Sequence, residues 1–431
     1  MKADRSSFAT RSRRLTRLLM TVWAQLIGAG LSRLRHRLAH PRQPTVVDGP
    51  ERLRRTLERL GPTFVKAGQL AASRPDLLPD GYRAELAMLR NHVRPLEPAV
   101  VANLLEGAYG PDLAAVFEGI SVDPIASGSI GQVHSATIGE GRRVAIKVRR
   151  PGVDRLVEAD LSLLASSARV IHKALRSSRQ FQLPRLVEEF AVTLREELDY
   201  QHEAQQAPII AAELSRFPEV TVPRVVKHLS GDHVIVMDLI EGVPLADLDA
   251  INAAGLDRHE LARIVLITNL TMILFDDRFH ADPHAGNYLA LPDGRLGLVD
   301  FGQVGISHPS TRQQLYELLG ALVGSDPNAA AAALAVICGQ PDADVAALGG
   351  DLAQLLSGLS TIGLGEISIT SLLRGTLDLV RKYRLVLPAE LALLVKAVFE
   401  SEATAEELDP GIQLSEVIDA FFVHPAASLA A

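Results

Sequence analysis

The chain has 431 residues, of which 47% are hydrophobic and 22% charged, and its formal net charge is −7. This length exceeds what one compact core usually holds, so we expect a two-lobed body with an additional segment. The single cysteine, Cys338, excludes a disulfide framework and is typical of a reducing compartment. The high hydrophobic content excludes a disordered central region.

The first 43 residues are strongly basic, with ten Lys or Arg against one Asp. Between Arg17 and Arg33 lies an apolar stretch that is short for a membrane span. The flanking arginines and the only Trp predict that residues 1–49 form a basic amphipathic segment at an anionic membrane surface. A helix docked on the protein body and a disordered basic tail are the alternatives. The tail at 416–431 is also too short for a span, so we expect no transmembrane helix.

A glycine-rich run lies ahead of a predicted strand. It matches the kinase glycine loop G-x-G-x-x-G-x-V at Gly128, Gly131 and Val133, with Ala126 at the first glycine position. Glycines in such a loop let backbone N–H groups approach phosphates, although a plain hairpin turn would also explain the run by itself. The predicted nucleotide-contacting residues are Ala126, Ser127, Gly128, Ser129, Ile130, Gly131 and Val133.

One lysine stands out in the apolar stretch 144–148. The distance from Val133 to Lys147 is that of a β-hairpin, which places this lysine on a strand next to the glycine-rich run. Only seven of the 44 basic residues are Lys, so the chain uses Arg for generic charge. We therefore expect Lys147 to serve as a compact point charge for phosphates.

Two short motifs carry the predicted chemistry. Asp282 and Asn287 belong to an H-x-D-x-x-x-x-N segment, and Asp300 begins D-F-G after the predicted strand 296–299. In kinase-like enzymes the first Asp orients or deprotonates a hydroxyl acceptor, while the Asn and the second Asp are oxygen ligands for Mg²⁺. His280 and His284 are predicted to pack in the loop, because no zinc-type spacing accompanies them.

These motifs stand with others in an order that resembles the UbiB family of atypical kinases. The resemblance covers about residues 55–410, including an N-terminal extension that protein kinases lack. The motifs that carry it are Lys66-Ala-Gly68-Gln69, Gln132-Val-His134, Arg150-Pro-Gly152, Glu197-Leu-Asp199-Tyr200, Glu203-Ala204, Asp282-Pro-His-Ala-Gly-Asn287, Asp300-Phe-Gly302 and Leu408-Asp-Pro410.

The resemblance implies a role for each matching residue. It assigns Lys147 to the phosphates of ATP, with Glu203 as its partner. Asp282 takes the catalytic position, and Asn287 and Asp300 take Mg²⁺. The resemblance also implies that the extension covers the site where a protein substrate would lie. The residues implied in this occlusion are Lys66 and Gln69 on the extension, with Glu197 and Asp199 facing them. In isolation, Lys66 would be read as a solvated helix residue.

Two positions depart from the family pattern. Gly128 stands where the family usually has alanine, so nucleotide preference and intrinsic phosphotransfer do not carry over. Gln206 replaces an Asn of the Glu-Ala-x-Asn motif, and we expect little consequence because the amide is retained.

The predicted fold is α+β, an atypical protein-kinase-like two-lobed fold with a helical N-terminal extension. We expect the extension at 50–110, the N-lobe at 111–240 and a helical C-lobe at 241–431. The buried strand predicted from Val234 is followed by residues typical of a turn, near Gly242. We expect the backbone around Asp238 and Ile240 to hydrogen bond to the adenine of the nucleotide.

The functional hypothesis is an ATP-binding, Mg²⁺-dependent atypical kinase or ATPase that supports isoprenoid-quinone or membrane-lipid metabolism. No A-P-E motif or long activation segment follows D-F-G, which disfavours peptide phosphorylation. The alternatives are a nucleotide-gated scaffold that recruits lipid- or quinone-modifying enzymes, and a small-molecule phosphotransferase. We expect a cytoplasmic protein with peripheral contact to the inner face of the cell membrane and with no nucleic-acid partner. The sequence does not indicate the phosphoryl acceptor or the oligomeric state.

Overall fold

The computed structural model describes residues 49–72, 78, 80–90, 95–174, 183–340, 344–360, 369–385 and 387–412. The basic segment predicted at the N-terminus therefore lies outside the described residues, apart from Gly49. The tail at 416–431 and part of the Lys-x-Gly-Gln segment, residues 73–77, also lie outside them.

The chain divides into two compact units. The first unit comprises residues up to Gln201 together with Val226–Met237, and the second comprises His202–Val225 and Asp238 onward. The helical extension therefore groups with the main sheet. The boundaries predicted for the extension and the two lobes stay a prediction.

The first unit combines helices with one four-stranded sheet. Its elements, in chain order, are helices α1 (Gly49–Leu60), α2 (Pro62–Ala72), α3 (Asp80–Ala87), α4 (Pro98–Tyr109) and α5 (Leu113–Val116), strands β1 (Ala126–Ser127), β2 (Gly131–Ile138) and β3 (Arg142–Arg149), helices α6 (Val153–Ala174) and α7 (Leu183–Leu198), and, after an excursion through the second unit, strand β5 (Val234–Asp238).

The sheet of the first unit has the strand order β1-β2-β3-β5. β2 and β3 form the predicted antiparallel hairpin, in which Val133 lies directly opposite Lys147. Val144, Ile146 and Val148 alternate along β3 and are fully buried in the core beneath the sheet. Because side chains alternate between the faces of a strand, Lys147 points to the opposite face.

The extension has a small core of its own. Helices α1, α2 and α3 pack against one another around Val65, Ala72, Leu86 and Leu89. α2 also contacts α6 and α7. The Lys-x-Gly-Gln motif, which lies on α2, is therefore held against the body of the first unit.

A buried polar chain joins the sheet to the segment that precedes α4. The Gln132 side chain is 1% exposed, and its Oε1 accepts from the Leu96 N–H at 2.8 Å. Its Nε2 donates to His134 Nε2 at 2.6 Å, and His134 Nδ1 donates to the Ser121 carbonyl at 2.8 Å. Each of these two buried side chains thus has partners at both ends, as buried polar groups require.

The second unit is mainly helical. Its elements are most of α8 (Tyr200–Glu213), β4 (Val220–Thr221), β6 (Val243–Pro244), α9 (Leu248–Ala253), α10 (Arg258–Phe275), β7 (Arg278–His280), β8 (Tyr288–Ala290), β9 (Leu296–Leu298), β10 (Val304–Ile306), α11 (Pro309–Val323), α12 (Pro327–Ile337), α13 (Val345–Ser360), α14 (Ile369–Lys382) and α15 (Ala389–Leu408).

Helix α10 is the centre of the second unit. Asp257 caps its N-terminus by accepting from the His259 and Glu260 N–H groups. Most of its residues from Leu261 to Leu274 are buried, so the helix is apolar on nearly every face. α10 packs along α15 and leads into β7, which pairs antiparallel with β10. The loops that carry the predicted chemistry are therefore attached to the buried core through β7 and β10.

The α+β, kinase-like fold class is confirmed. The predicted strand at 296–299 is β9, and the D-F-G motif is followed by the short β10 and then by α11. Helix α15 begins at Ala389, with Pro388 at its N-cap. In the described part of the chain, no helix combines the length and apolarity needed to cross a bilayer.

An acidic group at the end of α8 titrates near neutrality. Burial, with the nearby Asp276 carboxylate, raises the pKa of Glu213 to about 7. One of its carboxylate oxygens is buried without a hydrogen-bond partner among the described residues. Ionised Glu213 therefore destabilises the folded protein.

We predict that replacing Gln132 by Leu lowers the free energy of unfolding by about 1–3 kcal/mol, because the buried His134 ring and the partly buried Leu96 N–H lose their partner. Denaturant unfolding of the purified chain measures this change. Gln313→Leu on the exposed face of α11 is the matched control and should change stability by less than about 0.5 kcal/mol. Equal effects of the two substitutions would contradict the prediction.

We also predict a pH-dependent effect of Glu213→Gln. The folded-state pKa lies above the unfolded value of 4.5, so wild type loses stability as the pH rises from 4.5 to about 7. The variant lacks this loss. Its stability advantage should be absent below pH 4.5, grow up to about pH 7 and then level off. Melting curves across this range test it, and an advantage that is independent of pH would refute the assignment.

Candidate functional site

The predicted glycine loop is a tight turn between β1 and β2. Ala126 pairs with Val133 and Ser127 with Gln132, and the Gly128 N–H donates to the Gly131 carbonyl at 2.9 Å. The predicted loop residues are thus brought together in one antiparallel turn of the first unit. Their contact with a nucleotide stays a prediction.

Arg150 braces this loop from the end of β3. Its Nε donates to the Gly128 carbonyl at 2.9 Å and its Nη2 to Ser127 Oγ at 3.0 Å. Its backbone N–H also donates to the Ile130 carbonyl at 2.8 Å. A planar guanidinium with several fixed donors suits such a role. The sequence places Arg150 in a motif but does not assign it a role.

The two loop glycines meet different surroundings. A Cβ at Gly131 would lie 2.1 Å from the Tyr200 hydroxyl oxygen and 2.8 Å from the Val148 carbonyl oxygen. A Cβ at Gly128 would meet only the Gly131 carbonyl oxygen, at an ordinary 3.5 Å. Gly131 is therefore required by packing against a fully buried tyrosine, whereas the protein itself leaves room for alanine at Gly128.

Lys147 lies above the same tyrosine. Its Nζ is 5.3 Å from the centre of the Tyr200 ring, within the range of a cation–π interaction. Tyr200 thus underlies both the loop and the lysine of the first unit. Glu203, the predicted partner of Lys147, is 2% exposed on α8 and belongs to the second unit. The pairing of Lys147 with Glu203 stays a prediction.

The extension is joined to α7 by an ion pair. Lys66 Nζ lies 2.8 Å from Glu197 Oε1, and both side chains are less than one-fifth exposed. Lys66 therefore contacts Glu197, another residue of the implied occluding set, and is not a solvated helix residue. The occluding role stays a prediction. Gln69 Nε2 donates to the Leu89 carbonyl at 3.2 Å, within the extension itself. Asp199 lies in the short link between α7 and α8.

In the second unit, His280 connects the two predicted catalytic loops. Its Nδ1 accepts from the Asp282 N–H at 3.1 Å, and its Nε2 donates to the Asp300 carbonyl at 2.8 Å. Burial lowers the pKa of His280, which keeps the ring neutral with one donor and one acceptor. His280 is therefore a packing residue of the loop, as expected, and so is His284, whose Nδ1 accepts from the Gly286 N–H.

The two predicted metal ligands are oriented by their own loops. Asn287 Nδ2 donates to the Asp282 carbonyl at 2.9 Å, which turns its amide oxygen the other way. Asp300 Oδ1 accepts from the Gly302 N–H at 2.9 Å. In the described part of the chain no cluster of three His, Cys, Asp or Glu side chains would hold a metal. One amide and one carboxylate suit Mg²⁺, which takes few protein ligands and completes its shell with phosphates and water.

Asp282 has a neighbour that sequence reasoning missed. Lys396 Nζ, on α15, lies 2.7 Å from Asp282 Oδ1, and the lysine is only 6% exposed. The other carboxylate oxygen of Asp282 lies 3.5 Å from His284 Nε2. The available signal was a rare lysine in an otherwise apolar helical stretch, Leu391–Phe399.

Two further residues of predicted interest, Asp238 and Gln206, have defined hydrogen-bond partners. The Asp238 N–H donates to the Arg224 carbonyl at 3.0 Å, so this N–H is already used, and the adenine contact at Asp238 and Ile240 stays a prediction. Gln206 Oε1 accepts from Arg278 Nη1 at 3.0 Å on the strand that leads into the catalytic loop. The amide that replaces the family's Asn therefore has a defined structural partner.

Together, the braced glycine turn with its strand lysine and the Asp–Asn and Asp-Phe-Gly loops define a kinase-like protein. The ABC1 atypical kinase-like domain matches residues 88–334, and the UbiB helical domain matches residues 352–413. The chain belongs to the ABC1/UbiB family of atypical kinase-like proteins.

Relatives from several organisms share most of this chain. The Synechocystis protein named uncharacterized protein slr1919 is 31% identical over 85% of this chain and 65% of its own length. The Arabidopsis thaliana protein named activity of bc1 complex kinase 1, chloroplastic, is 32% identical over 85% of this chain and 54% of its own. A probable protein kinase UbiB of Cellvibrio japonicus is 31% identical, with 86% and 68% covered.

Similarity to a solved structure supports the fold. The Mycobacterium tuberculosis protein Rv3197, solved in complex with erythromycin, has a TM-score of 0.57 and 23% sequence identity. The match covers 83% of this chain and 90% of the mycobacterial chain. The chain spans less than two thirds of the length of the first two relatives named above, so activities of those whole proteins enter only as proposals.

We predict opposite tolerance at the two loop glycines. Gly131→Ala should lower the free energy of unfolding by about 1–3 kcal/mol, because the added methyl group overlaps Tyr200 and the β3 backbone. Gly128→Ala should leave stability within about 0.5 kcal/mol of wild type, because the space exists. Thermal and denaturant unfolding of both variants measure this difference. A Gly128 variant as unstable as the Gly131 variant would contradict it.

Proposed function

We propose that this protein is an ATP-binding, Mg²⁺-dependent atypical kinase or ATPase that supports isoprenoid-quinone or membrane-lipid metabolism. The observation that carries the chemistry is the second-unit arrangement of Asp282, Asn287 and Asp300, which His280 hydrogen bonds hold in one fixed loop pair. Membership of the kinase-like family supports the same reading.

Each residue has a defined task in this proposal. Asn287 and Asp300 would hold Mg²⁺, which when bound neutralises charge on the phosphates. Asp282 orients the attacking hydroxyl or water and takes its proton. Lys147 supplies positive charge to the phosphates, and Tyr200 and Arg150 keep the lysine and the glycine turn in place. The backbone N–H groups of the glycine turn contribute donors for the same anions.

The metabolic part of the proposal rests on the family and on the charge pattern. Names of two relatives contain the word kinase, and neither states an acceptor. The Lys66–Glu197 pair fixes the extension on the first unit, a feature that ordinary protein kinases lack. The basic first 43 residues favour peripheral contact with an anionic membrane, where quinone- or lipid-pathway enzymes would be partners.

The central prediction is that Lys147→Met, Asp282→Asn and Asp300→Asn each reduce ATP turnover at least about 100-fold, because each removes a charge that the transition state needs. Turnover of the purified chain is measured as phosphate release with Mg²⁺ and anionic liposomes. Lys147→Arg should also fail, since a guanidinium does not replace a compact ammonium. EDTA should abolish turnover by the wild type.

Lys173→Met, which removes an exposed lysine from α6, is the matched control and should keep wild-type turnover. Wild-type rates in all three site variants would refute the assigned chemistry. Saturable nucleotide binding without any phosphate release by the wild type would instead favour the nucleotide-gated scaffold. Transfer of phosphate to an added small alcohol would favour a small-molecule phosphotransferase.

A further inference from the structure

A single buried lysine holds the predicted catalytic aspartate. Lys396 lies in the middle of α15 and is 6% exposed. Its ammonium donates to three acceptors: Asp282 Oδ1 at 2.7 Å, the Ala281 carbonyl at 3.1 Å and Gln303 Oε1 at 3.1 Å. A lysine ammonium has three donors, so its hydrogen-bonding capacity is fully used.

The three acceptors come from the two loops that carry the chemistry. Ala281 and Asp282 belong to the loop after β7, and Gln303 follows the D-F-G segment. The loops are already joined by the Ala281 N–H, which donates to the Gln303 carbonyl at 3.0 Å. Lys396 therefore closes a ring of contacts between them, from a helix more than ninety residues later in the chain.

Burial makes this contact hard to rearrange. An ammonium without an anionic partner is costly inside a protein, so the lysine keeps its place only while the Asp282 carboxylate faces it. One oxygen of the carboxylate is thereby fixed on the lysine, and the other lies near His284 Nε2. The side chain of Asp282 is held in one orientation before any substrate binds.

We propose that Lys396 is a positioning residue that holds Asp282 in its working orientation, so that the UbiB helical domain supplies part of the catalytic apparatus. This inference rests on the proposed function, because it takes Asp282 to be the residue that orients the attacking group and accepts its proton. The helical domain match, residues 352–413, contains Lys396, whereas the kinase-like domain match contains Asp282. A second contact from the same helix supports it: Thr404 Oγ1 donates to the Pro283 carbonyl at 2.9 Å.

The first test compares kcat and KM for ATP in Lys396→Met and Lys396→Arg. Methionine keeps the length of the side chain and removes its charge. We expect kcat for ATP turnover to fall about 10- to 100-fold, because a misplaced catalytic group costs rate. KM for ATP should stay within about twofold, since the residues assigned to the nucleotide are unchanged. Arginine should restore part of kcat because it keeps the positive charge. Ser401→Ala, a buried substitution on the same helix, should keep wild-type kcat.

The second test asks whether the lysine acts through Asp282. Asp282→Asn leaves the ammonium facing a neutral amide and should lower the melting temperature, and adding Lys396→Met should recover part of that loss. In the Asp282→Asn background, Lys396→Met should cause no further loss of residual turnover. A purely structural lysine would instead lower turnover by the same factor in both backgrounds.

The outcomes separate the two proposals. If Asp282→Asn is inactive and Lys396→Met has wild-type kcat, the positioning role is wrong while the proposed function stands. If Asp282→Asn itself turns over ATP like wild type, the catalytic task assigned to Asp282 fails and the positioning role fails with it; if Lys147→Met and Asp300→Asn do so as well, the proposed function fails. If Lys396→Met does not fold, Lys396→Arg and the double variant decide: a double variant that is no more stable than Asp282→Asn alone would overturn the coupling between Lys396 and Asp282.

Discussion

The geometry of the second unit depends on the buried ring of His280. Its two nitrogens bond to the backbones of the two loops that carry the predicted chemistry, one as acceptor and the other as donor. Such a bridge requires a neutral imidazole with a defined tautomer, and complete burial provides it by disfavouring the charged form. The β7–β10 pairing, in which His280 lies opposite Val304, extends the same junction. The positions of Asp282, Asn287 and Asp300 follow from this backbone junction and from side-chain bonds within each loop.

The sequence was most informative where function fixes residue type and spacing together. The short distance along the chain from Asp282 to Asn287 reflects one loop in which the amide bonds back to the carbonyl of the aspartate. Val133 and Lys147 were placed on one hairpin by their spacing, and the structure pairs them directly. In both cases the relevant contacts are local, so a pattern in the sequence is sufficient to identify them.

Contacts that are distant in sequence could not be predicted in this way. Lys396 lies 114 residues from Asp282, and the packing of α15 on α10 and β10 brings it to the loop. Tyr200 was visible as part of a motif, but its place beneath Gly131 and Lys147 depends on how the chain returns to the sheet. The glycine loop was interpreted as a phosphate cradle, whereas at Gly131 the nearest constraint is the tyrosine hydroxyl. The type of a residue that packs in the tertiary structure does not reveal which distant residue it contacts.

The β2–β3 hairpin has a consequence for how this chain can vary in evolution. Its strands pair up to Ile138 and Arg142, so residues 139–141 form the loop. Glu140 and Gly141, both with positive φ, are the central residues of the turn that the Arg142 N–H closes on the Gly139 carbonyl. Lys147 reaches its face of the sheet through a register counted from that turn. A gain or loss of one residue that the loop does not absorb would shift the pairing by one and turn the lysine to the apolar face. Substitution of Gly141 is restricted by its positive φ. Insertions and deletions that shift the register should in addition be lost from lineages that keep the lysine in use.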